Sequence, residues 1–212
     1  MKILIIGATG EAGRVITETA IMKGFDVSVF VRSPEKIDDM KKVNIIKGDI
    51  LNFKSLTTSM KGIDVVISCV GAMDNTPGQV ELFTSGMENI VLAMKNEGIK
   101  RLISINGALT KLKSDSVGIY LSFMRFLIPK LVPEMVNSNK AQYDVISHSD
   151  LDWTVIRAGK FVDKQTTGKT KISTSKQSGF NISVSKTGLA KFVISQIADI
   201  KYIKKSPMLF SI

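Results

Sequence analysis

The sequence has little of what secreted and membrane proteins depend on. Cys69 is the one cysteine among 212 residues, so no disulfide can form within the chain and a reducing, cytoplasmic location is expected. The N-terminal apolar run stops at Ile6, too early for a secretory signal, and we expect the mature chain to begin at Met1. The longest apolar stretch, Val117 to Val132, is interrupted by charged residues and proline and is shorter than the roughly 20 residues of a spanning helix. We therefore expect no membrane partner and interpret that stretch as a buried helix or a pocket wall.

Linkers and concentrated charge are also lacking. Proline contributes only 5 residues, and no segment is rich enough in proline, glycine or serine to separate domains, which predicts one domain over residues 1–212. The net charge is +10, but the basic residues are spread along the chain without a helix-turn-helix, zinc-finger or aromatic RNA-binding pattern. We expect a basic surface, no nucleic-acid partner and no metal site. The protein is expected to be a monomer or a homodimer.

The order of apolar runs indicates the fold class. Short β-branched runs alternate with longer amphipathic stretches, which is typical of parallel strands joined by crossover helices. This pattern predicts an α/β fold with a doubly wound parallel sheet in three αβα layers. The predicted strands are Lys2–Ile6, Asp26–Val31, Asn44–Lys47, Asp64–Val70, Arg101–Ile105 and Trp153–Arg157, with a short final run around Pro207–Ile212. The predicted helices are Glu11–Lys23, one that opens at Pro34, Lys54–Met60, Gly78–Asn96, Ser138–His148 and Lys186–Ala198.

Two segments are predicted to form the substrate side of the molecule. Asn106–Asn137 has no clean strand, and we expect it to cover the carboxyl end of the sheet, where ligands of open α/β folds bind. The second segment is 159–182. It includes the polar stretch Asp163–Gly179, which is rich in lysine, threonine and serine and predicts an exposed hairpin or loop.

A glycine-rich turn joins the first predicted strand to the first helix. Gly7 permits the tight turn, Gly10 lets the backbone approach a pyrophosphate, and Gly13 lets the helix pack close to the strand. The helix N-terminus adds unpaired N–H groups and a partial positive charge. The turn therefore predicts a dinucleotide site in a Rossmann-like domain. A glycine-rich turn without a ligand is the alternative.

The end of the second predicted strand distinguishes between the two nicotinamide dinucleotides. An acidic residue there binds the ribose 2′-hydroxyl, whereas an arginine accommodates a 2′-phosphate. Arg32 follows this strand and can pair with a phosphate and stack on adenine, and Ser33 adds a hydroxyl donor. We therefore expect NADP(H) to be preferred over NAD(H). The alternative is an exposed surface arginine.

Two further loops follow predicted strands. Asp49 and Ile50 come after the third strand, where a carboxylate and an apolar side chain can flank the adenine. Gly71 and Ala72 come after the fourth, where small residues let a cofactor pass close to the backbone. A simple loop aspartate and an ordinary turn explain these residues almost as well.

The turn Gly7-Ala8-Thr9-Gly10-Glu11-Ala12-Gly13 resembles that of the atypical short-chain dehydrogenases, in particular the NmrA-like and biliverdin reductase B/flavin reductase-like group. The similarity covers essentially the whole chain. It extends, in order and spacing, to Val31-Arg32-Ser33, Gly48-Asp49, Val70-Gly71-Ala72, Ser149–Gly159 and the helix that begins Val184-Ser185-Lys186. The resemblance implies cofactor contacts from Thr9, Glu11, Ala12, Arg32, Ser33, Asp49, Ile50, Val70, Gly71 and Ala72. It also implies that the residues near the nicotinamide and substrate are Asn106, Lys140, Ala158, Gly159 and Phe161.

The sequence departs from this group at the expected proton donor. Typical short-chain dehydrogenases use a Tyr-x-x-x-Lys pair, but the residue four before Lys140 is Val136. The serine often found after the fifth strand is displaced as well, in Ser104–Ala108. Lys140 is still the candidate catalytic residue, since it can orient the ribose or lend positive charge to a developing anion. A solvated helix lysine is the alternative.

Two functions follow from these residues. The first is an NADPH-dependent reductase that passes a hydride to a flavin, quinone, tetrapyrrole or carbonyl substrate, for which positioning and exclusion of water can suffice. The second is a non-catalytic NADP(H) sensor, which the NmrA-like resemblance permits and the missing pair favours. Tyr120 and Tyr143 are possible proton donors, although no motif around either residue indicates that role. His148 is interpreted as a surface residue at a helix end. We favour the reductase.

Overall fold

The protein is described by a computed structural model over residues 1–37, 39–72, 74–113, 115–162, 170–173, 176–177 and 183–211. The strands are β1 Lys2–Ile6, β2 Asp26–Val31, β3 Asn44–Lys47, β4 Val65–Ser68, β5 Arg101–Gly107, β6 Ser116–Val117, β7 Asp152–Ala158, β8 Phe161–Val162, β9 Thr170–Ser173, β10 Lys176–Gln177, β11 Val184–Ser185 and β12 Met208–Ser211. The helices are α1 Glu11–Met22, α2 Phe53–Ser59, α3 Gln79–Asn96, α4 Ile119–Leu131, α5 Pro133–Ser147 and α6 Lys186–Ser195.

Eight strands form the main sheet in the order β3-β2-β1-β4-β5-β7-β12-β9. Neighbouring strands are parallel from β3 to β12, and the edge strand β9 runs antiparallel to β12. The order reverses between β1 and β4, and this switch point is where open α/β sheets bind ligands. The doubly wound α/β fold is thus confirmed, with an antiparallel edge that the sequence pattern does not predict.

The register of the parallel strands brings the candidate site residues to one edge of the sheet. Ile6 at the end of β1 pairs with Phe30 of β2 and Ser68 of β4, and Ser68 pairs with Ser104 of β5. The segments that follow these positions therefore leave the sheet side by side. A pocket at this edge is built from several loops that are far apart in the chain.

Both faces of the sheet are covered, which confirms the three-layer arrangement. Ile3 and Ile5 of β1 pack in one apolar cluster with α1 and α6. Leu4 and Ile6 face the other way, into a cluster that includes Met87 of α3 and residues of α2 and α5. Burial on both faces explains why the strands are continuous apolar runs without polar alternation.

Several predicted elements differ from the observed ones in extent. The helix predicted to open at Pro34 is a single 3-10 turn, Pro34–Lys36. Asn106–Asn137 is not irregular, because it contains β6, α4 and the first residues of α5. α5 begins at Pro133 and not at Ser138, since proline is well suited to the first turn of a helix.

The stretch interpreted as a buried helix or a pocket wall is a helix, and residues of it line a pocket, but the interpretation as a buried helix is wrong. Among the apolar residues of α4, only Leu121 is buried, whereas Ile119 is 90% exposed. Phe123, Phe126 and Leu131 are exposed as well. The reason is that α4 packs chiefly on α5 and not on the sheet, so one of its apolar faces stays uncovered. None of the helices among the described residues has both the length and the apolar character needed to cross a membrane.

The polar stretch Asp163–Gly179 is only partly described. It contains β9, at the edge of the main sheet, and β10, which pairs with β6. The prediction of a hairpin or loop for residues 163–169, 174–175 and 178–179 lies outside the described residues, as does the substrate-side prediction for 180–182.

Candidate cofactor-binding site

The three glycines of the turn between β1 and α1 meet different surroundings. Gly7 has φ +85°, and a methyl group added to it would lie 2.9 Å from the carbonyl carbon of Cys69. A methyl group on Gly13 would lie 2.2 Å from the carbonyl oxygen of Gly7, so the close packing of α1 requires glycine there. On Gly10 the nearest atom would be the Gly7 oxygen at 3.6 Å, an ordinary contact. The protein's own packing therefore does not explain Gly10, which faces open space at the pocket edge.

The N-terminus of α1 points its free N–H groups into this space. Gly10 is the N-cap and supplies no capping side chain, and the first helical hydrogen bond runs from Arg14 N to Gly10 O at 2.9 Å. Helix geometry leaves the N–H groups of Glu11, Ala12 and Gly13 without an acceptor in the helix. Together with the helix dipole they form a site for an anion such as a diphosphate. The Glu11 carboxylate lies 3.6 Å from Lys186 Nζ, which offsets its negative charge.

A crevice of about 190 Å³ opens on one side of this turn, at the ends of β1, β2, β3 and β4. Arg32 and Ser33 line it as predicted, and Arg32 is exposed. Lys36 lines it too, although no pattern in the sequence predicts this. The 3-10 turn after β2 is what returns Lys36 to the pocket. The crevice therefore has two cations beside the end of β2.

A third cation nearby is already paired. Arg14 donates to both carboxylate oxygens of Asp39, at 2.8 and 3.1 Å, and also to Lys36 O at 2.8 Å. The hydrogen bond from Arg14 lowers the pKa of the Asp39 carboxyl, so this pair stays ionised at neutral pH. Arg14 thus holds the 3-10 turn in place and leaves Arg32 and Lys36 to face the crevice.

Asp49 and Ile50 also line this crevice. Asp49 Oδ1 accepts a hydrogen bond from Leu51 N at 2.9 Å, so Asp49 shapes its own loop while it borders the pocket. Ile50 is held against α3, since its carbonyl accepts from Asn89 Nδ2 at 2.9 Å and its side chain fills the space beside Gly86. Both interpretations of Asp49, as a loop residue and as a pocket residue, are compatible with this geometry.

A second crevice, of about 390 Å³, lies in front of β4, β5 and β7. It adjoins the first, because Gly10, Cys69, Val70 and Gly71 line both. Its walls are mostly apolar. The predicted residues brought together here are Glu11, Ala12, Gly13, Val70, Gly71, Ala72, Asn106, Ala158, Gly159 and Phe161, and those brought together in the first crevice are Gly7, Thr9, Gly10, Arg32, Ser33, Asp49 and Ile50.

Lys140 is the candidate residue that the structure does not bring to the site. Its side chain is about half exposed, and Nζ binds the Asp144 carboxylate at 2.5 Å on the same helix. Met135, Val136 and Asn139 of α5 line the second crevice instead. Their spacing of three and four residues places them on one helix face, and Lys140 falls beside that face. The sequence-based predictions do not include Asn139, although its spacing from Met135 and Val136 indicates that the three residues share a helix face.

The possible proton donors lie elsewhere or stay protonated. Burial raises the pKa of the Cys69 thiol to about 12, which leaves it a neutral thiol. The Tyr143 ring packs edge-on against Trp153 at a centroid distance of 6.1 Å, and His148 Nδ1 lies 2.7 Å from Asp144 O at an exposed helix end. Neither these two residues nor Tyr120 lines either crevice. Among the described lining residues of the second crevice, only Cys69, Glu11 and Lys160 are titratable.

Comparison with known proteins decides the family. Residues 7–200 match the family described as NAD(P)H-binding. The chain belongs to this NAD(P)H-binding family. It is 26% identical over 163 residues to the uncharacterized protein YwnB of Bacillus subtilis, a match that covers 77% of this chain and 74% of YwnB. It is 28% identical over 167 residues to the photosystem II assembly factor Ycf39 of Synechocystis, and there the match covers 76% of this chain but only 45% of Ycf39.

Solved structures of other proteins share this fold. A putative NADH-flavin reductase of Streptococcus pneumoniae superposes with a TM-score of 0.80 at 22% identity, over 100% of both chains. A short-chain dehydrogenase/reductase of Veillonella parvula, solved in complex with NADP, gives 0.78 at 22% identity over 98% of this chain and 93% of that one. The resemblance to atypical short-chain dehydrogenases of the flavin reductase type is thus confirmed for the fold.

Proposed function

We propose that this NAD(P)H-binding protein is an NADPH-dependent oxidoreductase that transfers a hydride to a planar acceptor of the flavin or quinone type. The observation that carries the proposal is the pair of joined crevices, which meet at the free N–H groups of α1. A dinucleotide fits this arrangement with its diphosphate at Gly10, its adenosine toward Arg32 and its nicotinamide toward Gly71.

The preference for NADP(H) is supported by charge. Arg32 and Lys36 both line the adenosine side, and a guanidinium binds phosphate through charge-assisted, bidentate hydrogen bonds. Where a carboxylate would bind the 2′-hydroxyl of NAD(H), this chain has Arg32 and Ser33. The structurally similar protein of Veillonella parvula was solved in complex with NADP, which agrees with this assignment.

The acceptor class is supported by the walls of the second crevice. They consist mainly of glycine, alanine, aliphatic side chains and Phe161, with Asn106, Thr110 and Asn139 as neutral polar residues and Glu11 and Lys160 as charged ones. Such walls suit a planar ring system of the flavin or quinone type, and a tetrapyrrole or another carbonyl substrate is the alternative. NADPH held in the two crevices would supply the hydride, and water would supply the proton that completes reduction of a flavin or quinone, so no side-chain acid is needed. A structural neighbour described as a putative NADH-flavin reductase supports the same class.

Calorimetry and an absorbance assay test this proposal. We expect NADPH to bind at least about tenfold more tightly than NADH, as one added charge-assisted hydrogen bond would give. We also expect NADPH oxidation at 340 nm with riboflavin, FMN or a quinone, and little with simple aldehydes. If neither dinucleotide releases or absorbs heat on mixing, the proposal fails.

A non-catalytic NADP(H) sensor is the second candidate. It is favoured by the lack of a positioned acid among the described lining residues, and one relative, Ycf39, is described as an assembly factor and not as an enzyme. Tight NADPH binding without turnover of any acceptor in the same panel would select the sensor over the reductase.

A further inference from the structure

Asn139 lies between two glycines at the ends of neighbouring strands. A methyl group on Gly107, at the end of β5, would lie 3.1 Å from Asn139 Nδ2, which is tighter than an ordinary contact. A methyl group on Gly71, after β4, would lie 3.9 Å from Asn139 Oδ1. The missing side chains of these two glycines therefore leave room for the Asn139 amide at the border of the second crevice.

The backbone around Asn139 is held by Asn106. Asn106 Nδ2 donates to the carbonyl oxygen of Asn139 at 2.8 Å. Asn106 Oδ1 accepts from Gly107 N at 2.7 Å and from Thr110 Oγ1 at 3.0 Å. The side chain of Asn106 is thus engaged within the protein, and its effect is to fix α5 against the end of β5.

The amide nitrogen of Asn139 is engaged within the protein, whereas its amide oxygen is the group that could bind a ligand. Nδ2 donates to the carbonyl oxygen of Met135 at 2.9 Å, which orients the amide. An asparagine oxygen can accept two hydrogen bonds. No donor within the described part of the chain contacts Asn139 Oδ1, and this oxygen is on the Gly71 side of the amide. The crevice therefore contains a positioned, uncharged acceptor.

We propose that Asn139 Oδ1 accepts a hydrogen bond from the nicotinamide half of NADP(H). The inference rests on the proposed function, which puts the diphosphate at Gly10 and the 2′-phosphate at Arg32. The remaining half of the cofactor must then extend past Gly71 toward Gly107, where Asn139 lies. That half carries two kinds of donor, the ribose hydroxyls and the carboxamide N–H. Asn139 thus has the cofactor-contacting role that the family resemblance assigns to Lys140.

The test compares Asn139→Ala with Asn137→Ala by calorimetry. Asn137 is an exposed residue on the same helix that lines neither crevice, so it is the matched control. The probes are NADPH and 2′,5′-ADP, which lacks the nicotinamide half. We expect Asn139→Ala to raise the dissociation constant for NADPH about fivefold, the effect of one neutral hydrogen bond, and to change that for 2′,5′-ADP less than about twofold. Unchanged 2′,5′-ADP binding also shows that the variant is folded.

A further arm identifies the donor on the cofactor. The 3-acetylpyridine analogue of NADP has an acetyl group in place of the carboxamide and keeps the ribose hydroxyls. If Asn139→Ala weakens the binding of this analogue as much as the binding of NADP, the donor is a ribose hydroxyl. If the substitution does not weaken the binding of the analogue, the donor is the carboxamide.

Three results would overturn the inference. They are NADPH binding by Asn139→Ala that is as tight as that of the wild type, equal weakening of NADPH and 2′,5′-ADP binding in that variant, and a selective loss of NADPH binding in Lys140→Ala in its place. Each of these leaves the proposed function intact, because wild-type NADPH binding is measured in the same series. Failure of the wild type to bind either dinucleotide removes both.

Discussion

Among single residues, Gly10 and Gly13 differ in what a side chain would displace. A methyl group on Gly13 would run into the backbone of the protein, whereas one on Gly10 would enter the space in front of the helix N-terminus. A substitution at Gly13 is therefore expected to affect mainly stability, and one at Gly10 mainly ligand binding. Gly10 is the residue whose smallness benefits only a bound molecule.

We expect Gly10→Ala to raise the dissociation constant for NADPH about tenfold or more, since its methyl group lies where the diphosphate approaches. The melting temperature should fall only slightly, because alanine is a somewhat poorer N-cap than glycine. Gly13→Ala should lower the free energy of unfolding by about 1–3 kcal/mol, because its methyl group would be forced against the backbone of Gly7. Thermal melts and calorimetry on both variants check this. Equal loss of stability in the two would contradict it.

The cations at the end of β2 predict cofactor choice. We expect Arg32→Ala to weaken NADPH binding by about tenfold to a hundredfold, which corresponds to one or more charge-assisted hydrogen bonds, and to change NADH binding much less. Lys36→Ala should act in the same direction with a smaller effect, because a lysine contacts phosphate as a point charge. Lys41→Ala, which removes an exposed lysine nearby, is the control. A parallel loss for NADPH and NADH in Arg32→Ala would disprove a 2′-phosphate contact.

Among the elements, α4 is held to the sheet by a buried ionic cluster. Arg157 of β7 donates to both carboxylate oxygens of Asp115, at 2.6 and 2.8 Å, and Arg125 of α4 lies 2.9 Å from the same carboxylate. The side chains of Arg157, Arg125 and Asp115 are 0%, 6% and 2% exposed. The cluster therefore fixes the loop beside the second crevice and the middle of α4 at the end of β7.

Ionisation of Asp115 couples this cluster to pH. Burial opposes ionisation, but the hydrogen bonds and charges of Arg157, followed by Arg125, outweigh it and hold the pKa of Asp115 below its ordinary value of 3.8. A carboxyl whose pKa is lower in the folded state contributes its full stability above the unfolded pKa. This contribution is lost as the pH falls below about 4 and through the folded pKa.

We expect Asp115→Asn to lower the unfolding free energy at neutral pH by about 3–5 kcal/mol, because it leaves two buried arginines without their partner. Denaturant titrations at pH 7 and at pH 3.5 measure the change. The difference from the wild type should shrink at the lower pH, because the Asp115 carboxyl of the unfolded state takes up a proton there before the folded one does. Asp150→Asn, at an exposed position, should change neither value by more than about 0.5 kcal/mol. A difference that is the same at both pH values would contradict the assignment.

At the scale of the whole molecule, the cofactor is expected to join the two halves of the sheet. The first crevice lies at the ends of β1, β2, β3 and β4, and the second extends to β5 and β7, so one ligand contacts loops from most of the sheet. A ligand that binds only the folded state stabilises it by mass action. The net charge of +10 means that any polyanion could stabilise the fold to some degree, which requires a charge-matched control.

NADPH at a hundred times its dissociation constant should stabilise the protein by about 2.7 kcal/mol, which corresponds to a rise in melting temperature of about 5–10 °C for a domain of this size. Thermal shift measurements with NADPH and with inorganic pyrophosphate at the same concentration check this. An equal rise with pyrophosphate would indicate general charge neutralisation and not a dinucleotide site.

The sequence by itself determined most of the sheet and the centre of the site. β2 and β3 have the bounds that their apolar runs predict, and the turn from Gly7 to Gly13 is a contiguous motif in its expected place. Arg32, Gly71 and the other residues at strand ends could be predicted because the carboxyl ends of parallel strands meet at one edge. These features depend on local periodicity and on position relative to a strand, which the order of residues contains directly.

Only the tertiary structure decided which side chains complete the site. Lys36 lines the first crevice because the segment after β2 is a single 3-10 turn and not the predicted helix. Asn139 lines the second crevice, and Lys140 does not, because of the orientation of α5 about its axis. Arg157 binds Asp115, which is 42 residues away in the chain. The exposed face of α4 is another such result, since an apolar stripe does not specify what it packs against. Helix rotation, loop closure and burial depend on contacts between distant segments, and no local pattern in the chain encodes those contacts.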